Sequence, residues 1–311
     1  MRRLCIKLIE WYQRKTVNSS KRCRFYPSCS NYGLECYKRF NFFKASFLTL
    51  YRLIRCNPWC KGGYDPVPEK KSKLIKLCED VYILEHKENT DRPNLGYIYK
   101  ENGSYIIDGG NSKKHLKRFY KLLKRNKLPL PKYSIITHHH WDHTLGLYYT
   151  NTISYGLKET NELLKRHKES IEEKGIKYLI KEKEIPAFCK DHIYLEYKRK
   201  LNSIKIKLID KIIEEKLTID NLEIFKFPSN HSCDNLTVLD KKNGILFLGD
   251  TLCGKIVEFD FIKDINILKE QLNVISNLDF NIAVEAHQLP TNKEDLIVKL
   301  QTKVEELIKK G

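Results

Sequence analysis

The sequence predicts an α/β (α+β) fold preceded by a small, mainly helical, cysteine-containing module. Three observations carry that expectation. Between Val81 and His287, short apolar runs alternate with helical stretches, and several of the runs lead into a His or an Asp; such alternation builds layered sheets and helices. Charge is uneven, because residues 1–70 hold 15 Lys+Arg against 4 Asp+Glu, or +11 of the formal +18. A turn-rich exit, Gly62-Gly63-Tyr64-Asp65-Pro66-Val67-Pro68, then runs into the charged stretch Glu69–Asp80. Residues 1–69 are therefore expected as one module, 70–80 as a linker and 81–311 as the main domain.

Composition sets the class. The 311 residues suffice for about two domains, and 41% hydrophobic against 31% charged residues reads as globular. No apolar stretch is long enough to cross a membrane. Residues 1–15 have neither a continuous apolar core nor a small-residue cleavage site, so no signal peptide is expected. The ten Cys are accordingly expected as thiols in a reducing compartment, available for metal binding or packing. A strongly basic module points to an anionic partner, phospholipid or nucleic acid.

Residues 2–15 have helical periodicity, with Leu4, Cys5, Leu8, Ile9, Trp11 and Tyr12 on one broad face and Ile6 out of place. A basic amphipathic helix bordered by Trp and Tyr suits a membrane interface. Helices are expected up to Phe40 and from Phe43 to Arg55, where Phe43, Phe47, Leu50, Tyr51 and Ile54 recur at helical spacing before Pro58. Cys23, Cys29, Cys56 and Cys60 could staple this short module, as a metal site or a redox-sensitive bridge.

The run C-R-F-Y-P-S-C-S-N-Y (23–32), with Tyr12-Gln13, Glu35, Arg52–Pro58 and G-G-Y-D-P-V-P (62–68), resembles the membrane protein insertion efficiency factor family, YidD. The resemblance implies a peripheral protein on the cytoplasmic, inner face of the cell membrane, near the insertion machinery. Asn41 and Ala45 stand where that family tends to have Gly; Asn tolerates a left-handed turn, and Ala stiffens the second helix.

In the main domain, strands are expected at Val81–Glu85, Leu95–Tyr99, Ser104–Ile107, Tyr133–Ile136, Ile204–Ile209, Leu222–Phe227, Gly244–Leu248 and Ile282–Glu285, with helices at Lys113–Arg125, Lys158–Lys174 and Ile265–Leu278. The densest chemistry is Thr137-His138-His139-His140-Trp141-Asp142-His143, directly after an apolar run. Four imidazoles and a carboxylate in six positions make poor packing but good ligands for zinc or a neighbouring first-row metal. Asp108, at a strand end, is a candidate to orient a ligand.

The Asp108 loop, H-x-H-x-D-H (138–143), His231, Asp250 and His287, in that order, resemble the metallo-β-lactamase superfamily over roughly residues 81–290. The resemblance implies a four-layer αββα sandwich. It also implies two divalent metal ions, zinc in the first instance with iron or manganese as alternatives. One ion would be held by His138, His140 and His231, the other by Asp142, His143 and His287, with Asp250 bridging. His139 and Trp141 occupy free positions of the motif. Such a centre supports metal-assisted hydrolysis, with Asp142 and Asp250 as the catalytic carboxylates that orient the attacking hydroxide. Asp250 stands where the best-known antibiotic-hydrolysing members carry Cys, and His140 where the diiron flavoproteins carry a carboxylate. The 24 residues after His287 fall short of the added domain of the nucleic-acid-cutting branch. These differences leave the glyoxalase-II-like group, acting on a small thioester, lactone or other ester. A nuclease gripping nucleic acid through the basic module is the alternative, and a metal domain that only binds is a third reading. Residues 157–203, rich in Lys and Tyr, are expected to cover the site and to favour a small anionic substrate.

Overall fold

Arg2–Lys15 forms helix α1, and its apolar residues serve two faces. Cys5, Ile6 and Ile9 pack into a small core, whereas Leu4, Leu8, Trp11 and Tyr12 are exposed. Ile6, the worst fit to a single stripe, thus lies on the packed side. Strand β1 (Phe25–Tyr26), α2 (Cys29–Arg39), α3 (Phe42–Arg55) and β2 (Gly63–Tyr64) complete a compact unit, Met1–Lys70, in which β1 and β2 pair in parallel. Asn41 does not make a left-handed turn. At φ −67° it caps α3, its side chain accepting a 3.0 Å hydrogen bond from the Lys44 N–H. Buried Arg52 ties the end of α3 to both flanking segments. It donates to the Asp65 carbonyl and the Pro27 carbonyl, each at 2.6 Å, and its guanidinium faces the Phe25 and Tyr32 rings at 4.3 and 4.6 Å.

The protein is described here by a computed structural model covering residues 1–17, 23–181, 189–257, 260–262 and 264–309. Its second unit, Lys71–Gly311, begins with β3 (Leu74–Lys76), β4 (Val81–Leu84), β5 (Leu95–Ile98) and β6 (Tyr105–Ile107), an antiparallel meander. The stretch expected as a linker therefore contributes a strand, with Leu74 and Ile75 opposite Leu84 and Ile83. Helix α4 (Lys113–Arg125) leads to β7 (Tyr133–Ile135), the short α5 (Trp141–Thr144) and β8 (Ile153–Leu157). The insertion folds as α6 (Lys158–Lys174), α7 (Ile176–Lys181) and α8 (Cys189–Tyr197) before β9 (Lys211–Ile213). Strands β3 to β9 form one sheet in chain order, parallel from β6 onward.

The second sheet has the order β10 (Lys216–Ile219), β11 (Leu222–Lys226), β12 (Leu236–Asp240), β13 (Ile245–Gly249), β16 (Ile282–Glu285) and β17 (Thr291–Asn292). A hairpin, β14 (Lys255–Val257) and β15 (Asp260–Ile262), and helix α9 (Ile265–Asn277) lie between β13 and β16, and α10 (Lys293–Ile308) follows β17. Strand periodicity assigns the layers. Val81, Ile83, Ile98 and Tyr105 of the first sheet meet Ile224, Val238, Ile245 and Phe247 of the second in a central core. Leu84, Tyr97 and Ile106 turn outward onto Leu116, Phe119 and Leu123 of α4. On the far side, Leu246, Leu248 and Ala283 meet α9 and α10. The result is a four-layer αββα sandwich.

The strand expected at Ile204–Ile209 does not form; this segment is followed by β9 instead. Its apolar alternation has another cause. Ile204 and Ile206 pack with α7 and α8, and the Ile209 N–H donates to the Asn161 side chain rather than to a ladder.

Candidate metal centre

The ends of β6, β7, β11, β13 and β16 supply the side chains that the motifs single out. Past β7, His138 and His140 precede α5, whose first turn carries Asp142 and His143. His231 lies in the loop after β11, Asp250 directly follows β13, and His287 follows β16 by two residues. Gly249 allows the close approach at the second sheet. It sits at φ +54°, and a Cβ there would come within 2.7 Å of Thr137 Oγ1.

Two groups of ligand atoms result, each lying within 4.8 Å of one another: His138, His140 and His231, and Asp142, His143, Asp250 and His287. Asp142 Oδ2 is 3.1 Å from both His143 Nε2 and His287 Nε2. Asp250 Oδ2 touches both groups, at 3.5 Å from His231 Nε2, 3.5 Å from His143 Nε2, 3.7 Å from His287 Nε2 and 4.0 Å from His138 Nε2.

Neighbouring residues decide which nitrogen of each ring faces inward. His143 Nδ1 donates to Asp108 Oδ2 at 2.8 Å, leaving Nε2 toward the carboxylates. Asp108 also accepts from the Thr137 N–H and hydroxyl at 2.8 and 2.9 Å, and Thr137 Oγ1 lies 3.1 Å from His138 Nδ1. Asp108, singled out as a candidate to orient a ligand, thus contacts His143 directly and reaches His138 through Thr137. His231 Nδ1 donates to the Gly254 carbonyl, and its Nε2 lies 3.0 Å from His140 Nδ1. His139 turns away: its N–H and Nδ1 bond to the two oxygens of Asp234, at 2.8 and 3.0 Å. Trp141 packs with α7 and α8. Cys233 and Cys253 belong to neither group, and His115 is buried beside Gly110.

The donor set fits divalent metal ions. His138, Asp142, His143, His231 and Asp250 are buried. Buried His138 Nε2 and Asp250 Oδ1 have no hydrogen-bond partner among the described residues. Buried polar atoms left unpaired cost free energy unless something pairs with them, and imidazole nitrogen with carboxylate oxygen suits zinc and its neighbours. Electrostatics divides the histidines. Burial, reinforced by neighbouring imidazoles, holds His138 and His140 well below the usual histidine range. Burial also opposes protonation of His143 and His287, but carboxylates outweigh it. Asp142 and Asp108 lift His143 well above its ordinary value, and Asp250 with Asp142 and Asp91 lifts His287 to about 9. Asp250 is held low against its own burial by His287, His143 and His231.

Asp91 and Asp234 escaped sequence reasoning. Asp91, in the left-handed region at φ 50°, lies 3.8 Å from His287 Nδ1, and burial with the nearby Asp142 pushes its carboxyl to about 7. Neither has a motif spacing; the faint signal for Asp91 was its turn context, T-D-R-P.

Residues 90–273 match the metallo-beta-lactamase superfamily, and residues 1–68 match the family described as a putative membrane protein insertion efficiency factor. A protein of that second description from Clostridium perfringens (strain SM101 / Type A) is 51% identical over 69 residues, which are 22% of this chain and 99% of that protein. Among solved structures, DIM-1 metallo-beta-lactamase superposes with a TM-score of 0.54 at 17% identity, covering 76% of this chain and 99% of its own. The metallo-beta-lactamase FIM-1 from Pseudomonas aeruginosa, in a mono-zinc form, gives 0.51 at 16% identity, covering 76% and 96%. At such identities the superpositions speak for the fold.

Proposed function

Because the chain belongs to the metallo-beta-lactamase superfamily through residues 90–273, and to the insertion efficiency factor family YidD through residues 1–68, we propose that it is a membrane-associated hydrolase with a dinuclear metal centre. In this reading His138, His140 and His231 would hold one divalent ion, and Asp142, His143 and His287 the second, with Asp250 shared between the two groups. The observation that carries it is Asp250 Oδ2, which lies within 4.0 Å of a histidine Nε2 from each group. Zinc is the ion proposed, with iron and manganese as alternatives for the same donors.

Bound divalent ions supply Lewis acidity toward water and toward a substrate carbonyl. The chain's own residues then orient and exclude. Asp108 and Thr137 fix the rings of His143 and His138. Asp250 Oδ1, buried and without a hydrogen bond among the described residues, would accept from an attacking water, a role Asp142 would share. Helices α7 and α8 close over Trp141 and Leu145 and keep that flank of the motif dry.

The substrate proposed is a small thioester, lactone or other ester, of the glyoxalase-II-like group, with Asp250 as the supporting residue. The Lys- and Tyr-rich residues 157–203, with 12 Lys+Arg against 9 Asp+Glu, would favour a negative charge on it. The membrane part rests on the exposed Leu4, Leu8 and Trp11 of α1, the exposed Phe43, Phe47 and Ile54 of α3, and the +11 charge of the first 70 residues. A basic apolar surface suits the anionic inner leaflet, beside the membrane insertion machinery. No helix among the described residues is long and apolar enough to cross a membrane.

The test is a substrate panel of thioesters, lactones, phosphodiesters and RNA with the full chain. Thioester or lactone turnover that falls at least about a hundredfold in Asp250→Ala and disappears in His138→Ala is the expected result. Cleavage of RNA or phosphodiesters alone would replace this reading with the nuclease.

A further inference from the structure

The first unit holds a cluster that the metal centre does not use. Cys23, Cys29 and Cys56 bring their Sγ atoms within 4.8 Å of one another, whereas Cys60, weighed with them on sequence grounds, is outside the group. The three come from different places: Cys23 from the chain before β1, Cys29 from the first residue of α2, and Cys56 from the residue that ends α3. From this geometry we infer that Cys23, Cys29 and Cys56 form a thiolate site for one thiophilic divalent ion of the zinc class, separate from the His/Asp centre.

Three features support the assignment. Zinc binds thiolate sulfur at about 2.3 Å, so two ligands of a tetrahedral ion lie about 3.8 Å apart, a spacing that falls inside the 4.8 Å span of the cluster. A disulfide would consume two of the three thiols and leave the third alone. The sulfurs are also met by backbone N–H groups, as anionic sulfur requires: the Cys29 N–H donates to Cys23 Sγ at 3.3 Å, and the Arg24 backbone hydrogen-bonds the Cys56 thiol.

Two arginines tie the segments that carry the thiols to one another. Arg52 holds Pro27, two residues before Cys29, while its own position is four residues before Cys56. Arg24, next to Cys23, donates to the Pro58 carbonyl at 2.9 Å, tying the Cys23 segment to the chain just past Cys56. The Arg52 guanidinium offsets part of the negative charge at Cys56. The unit also has a reason to need a staple. Its buried apolar core is Tyr32, Cys36, Tyr37, Phe40, Ala45 and Val67, and units of about 70 residues commonly rely on a metal or disulfide to hold their fold.

Cobalt(II) added to the reduced, metal-free full chain tests the site, because only thiolate ligands give intense sulfur-to-cobalt charge-transfer absorption in the near ultraviolet. The expected result is one equivalent of cobalt giving that band. The band is lost in Cys23→Ser and Cys56→Ser, and kept in His138→Ala and Cys233→Ser. In the unaltered protein, bound metal also protects Cys23 from alkylation, a readout that needs no variant to fold. Absence of the band in the unaltered chain, its persistence in both cluster variants, or its loss in Cys233→Ser instead would overturn the assignment. So would a disulfide within the cluster in protein alkylated at lysis.

Discussion

Asp234 is buried and holds both His139 and Ser232, with Oδ2 accepting from the His139 N–H. Burial raises the cost of its charge, but the bonds from His139 and Ser232 more than compensate and bring its carboxyl from 3.8 down to about 2. A depressed carboxylate stabilises the fold above its unfolded pKa and loses that contribution as pH falls through the folded one. The shift corresponds to roughly 2 kcal/mol. In urea unfolding of the metal-free protein, Asp234→Asn should therefore be less stable by about that amount near neutrality, and the gap should close between about pH 4 and pH 2. A gap that stays constant down to pH 2 would mean that the carboxylate's charge contributes nothing. The same residue shows why part of the site was hidden. The proposed ligands of H-x-H-x-D-H lie within six positions and announce themselves, whereas Asp234 reaches His139 across 95 positions and follows no spacing rule.

At the scale of elements, helices α1 and α3 carry apolar side chains that their own unit leaves in solvent: Trp11 is 56% exposed and Phe47 69%. Exposed apolar groups of this size on a basic unit point to a surface that covers them. The protein should sediment with anionic vesicles in a salt-sensitive way, and Trp11→Glu or Phe47→Glu should weaken that binding by at least roughly tenfold. Equal binding to neutral and anionic vesicles, or none to either, would refute it. Elements with strong periodicity were legible: α1, α4, α6 and β16 have the predicted bounds. Strand β12 was not, because its five residues are all buried, including Thr237 and Asp240. Asp240 is buried against Lys100 Nζ at 3.2 Å, so a polar residue sits where alternation would have shown an outward face. Segment 204–209 misled in the opposite way, since its alternating apolar residues pack on helices rather than across a ladder.

At the scale of the whole molecule, a unit related to insertion efficiency factors and a metallo-beta-lactamase superfamily domain share one chain. Both families were readable from motifs whose residues keep a fixed order along the chain, and the αββα layering followed from the second resemblance. The boundary was less so: Lys71 begins the second unit, and β3 lies within the stretch whose charge suggested a linker. The account stands or falls on two ions sharing Asp250. X-ray absorption on zinc-loaded protein carrying Cys23→Ser, which removes the thiolate cluster from the signal, measures this directly. Two zinc equivalents in a nitrogen and oxygen shell, with a zinc–zinc vector at about 3.5–4 Å that disappears in Asp250→Ala, is the predicted result. One equivalent at saturation, with no metal–metal vector, would contradict it.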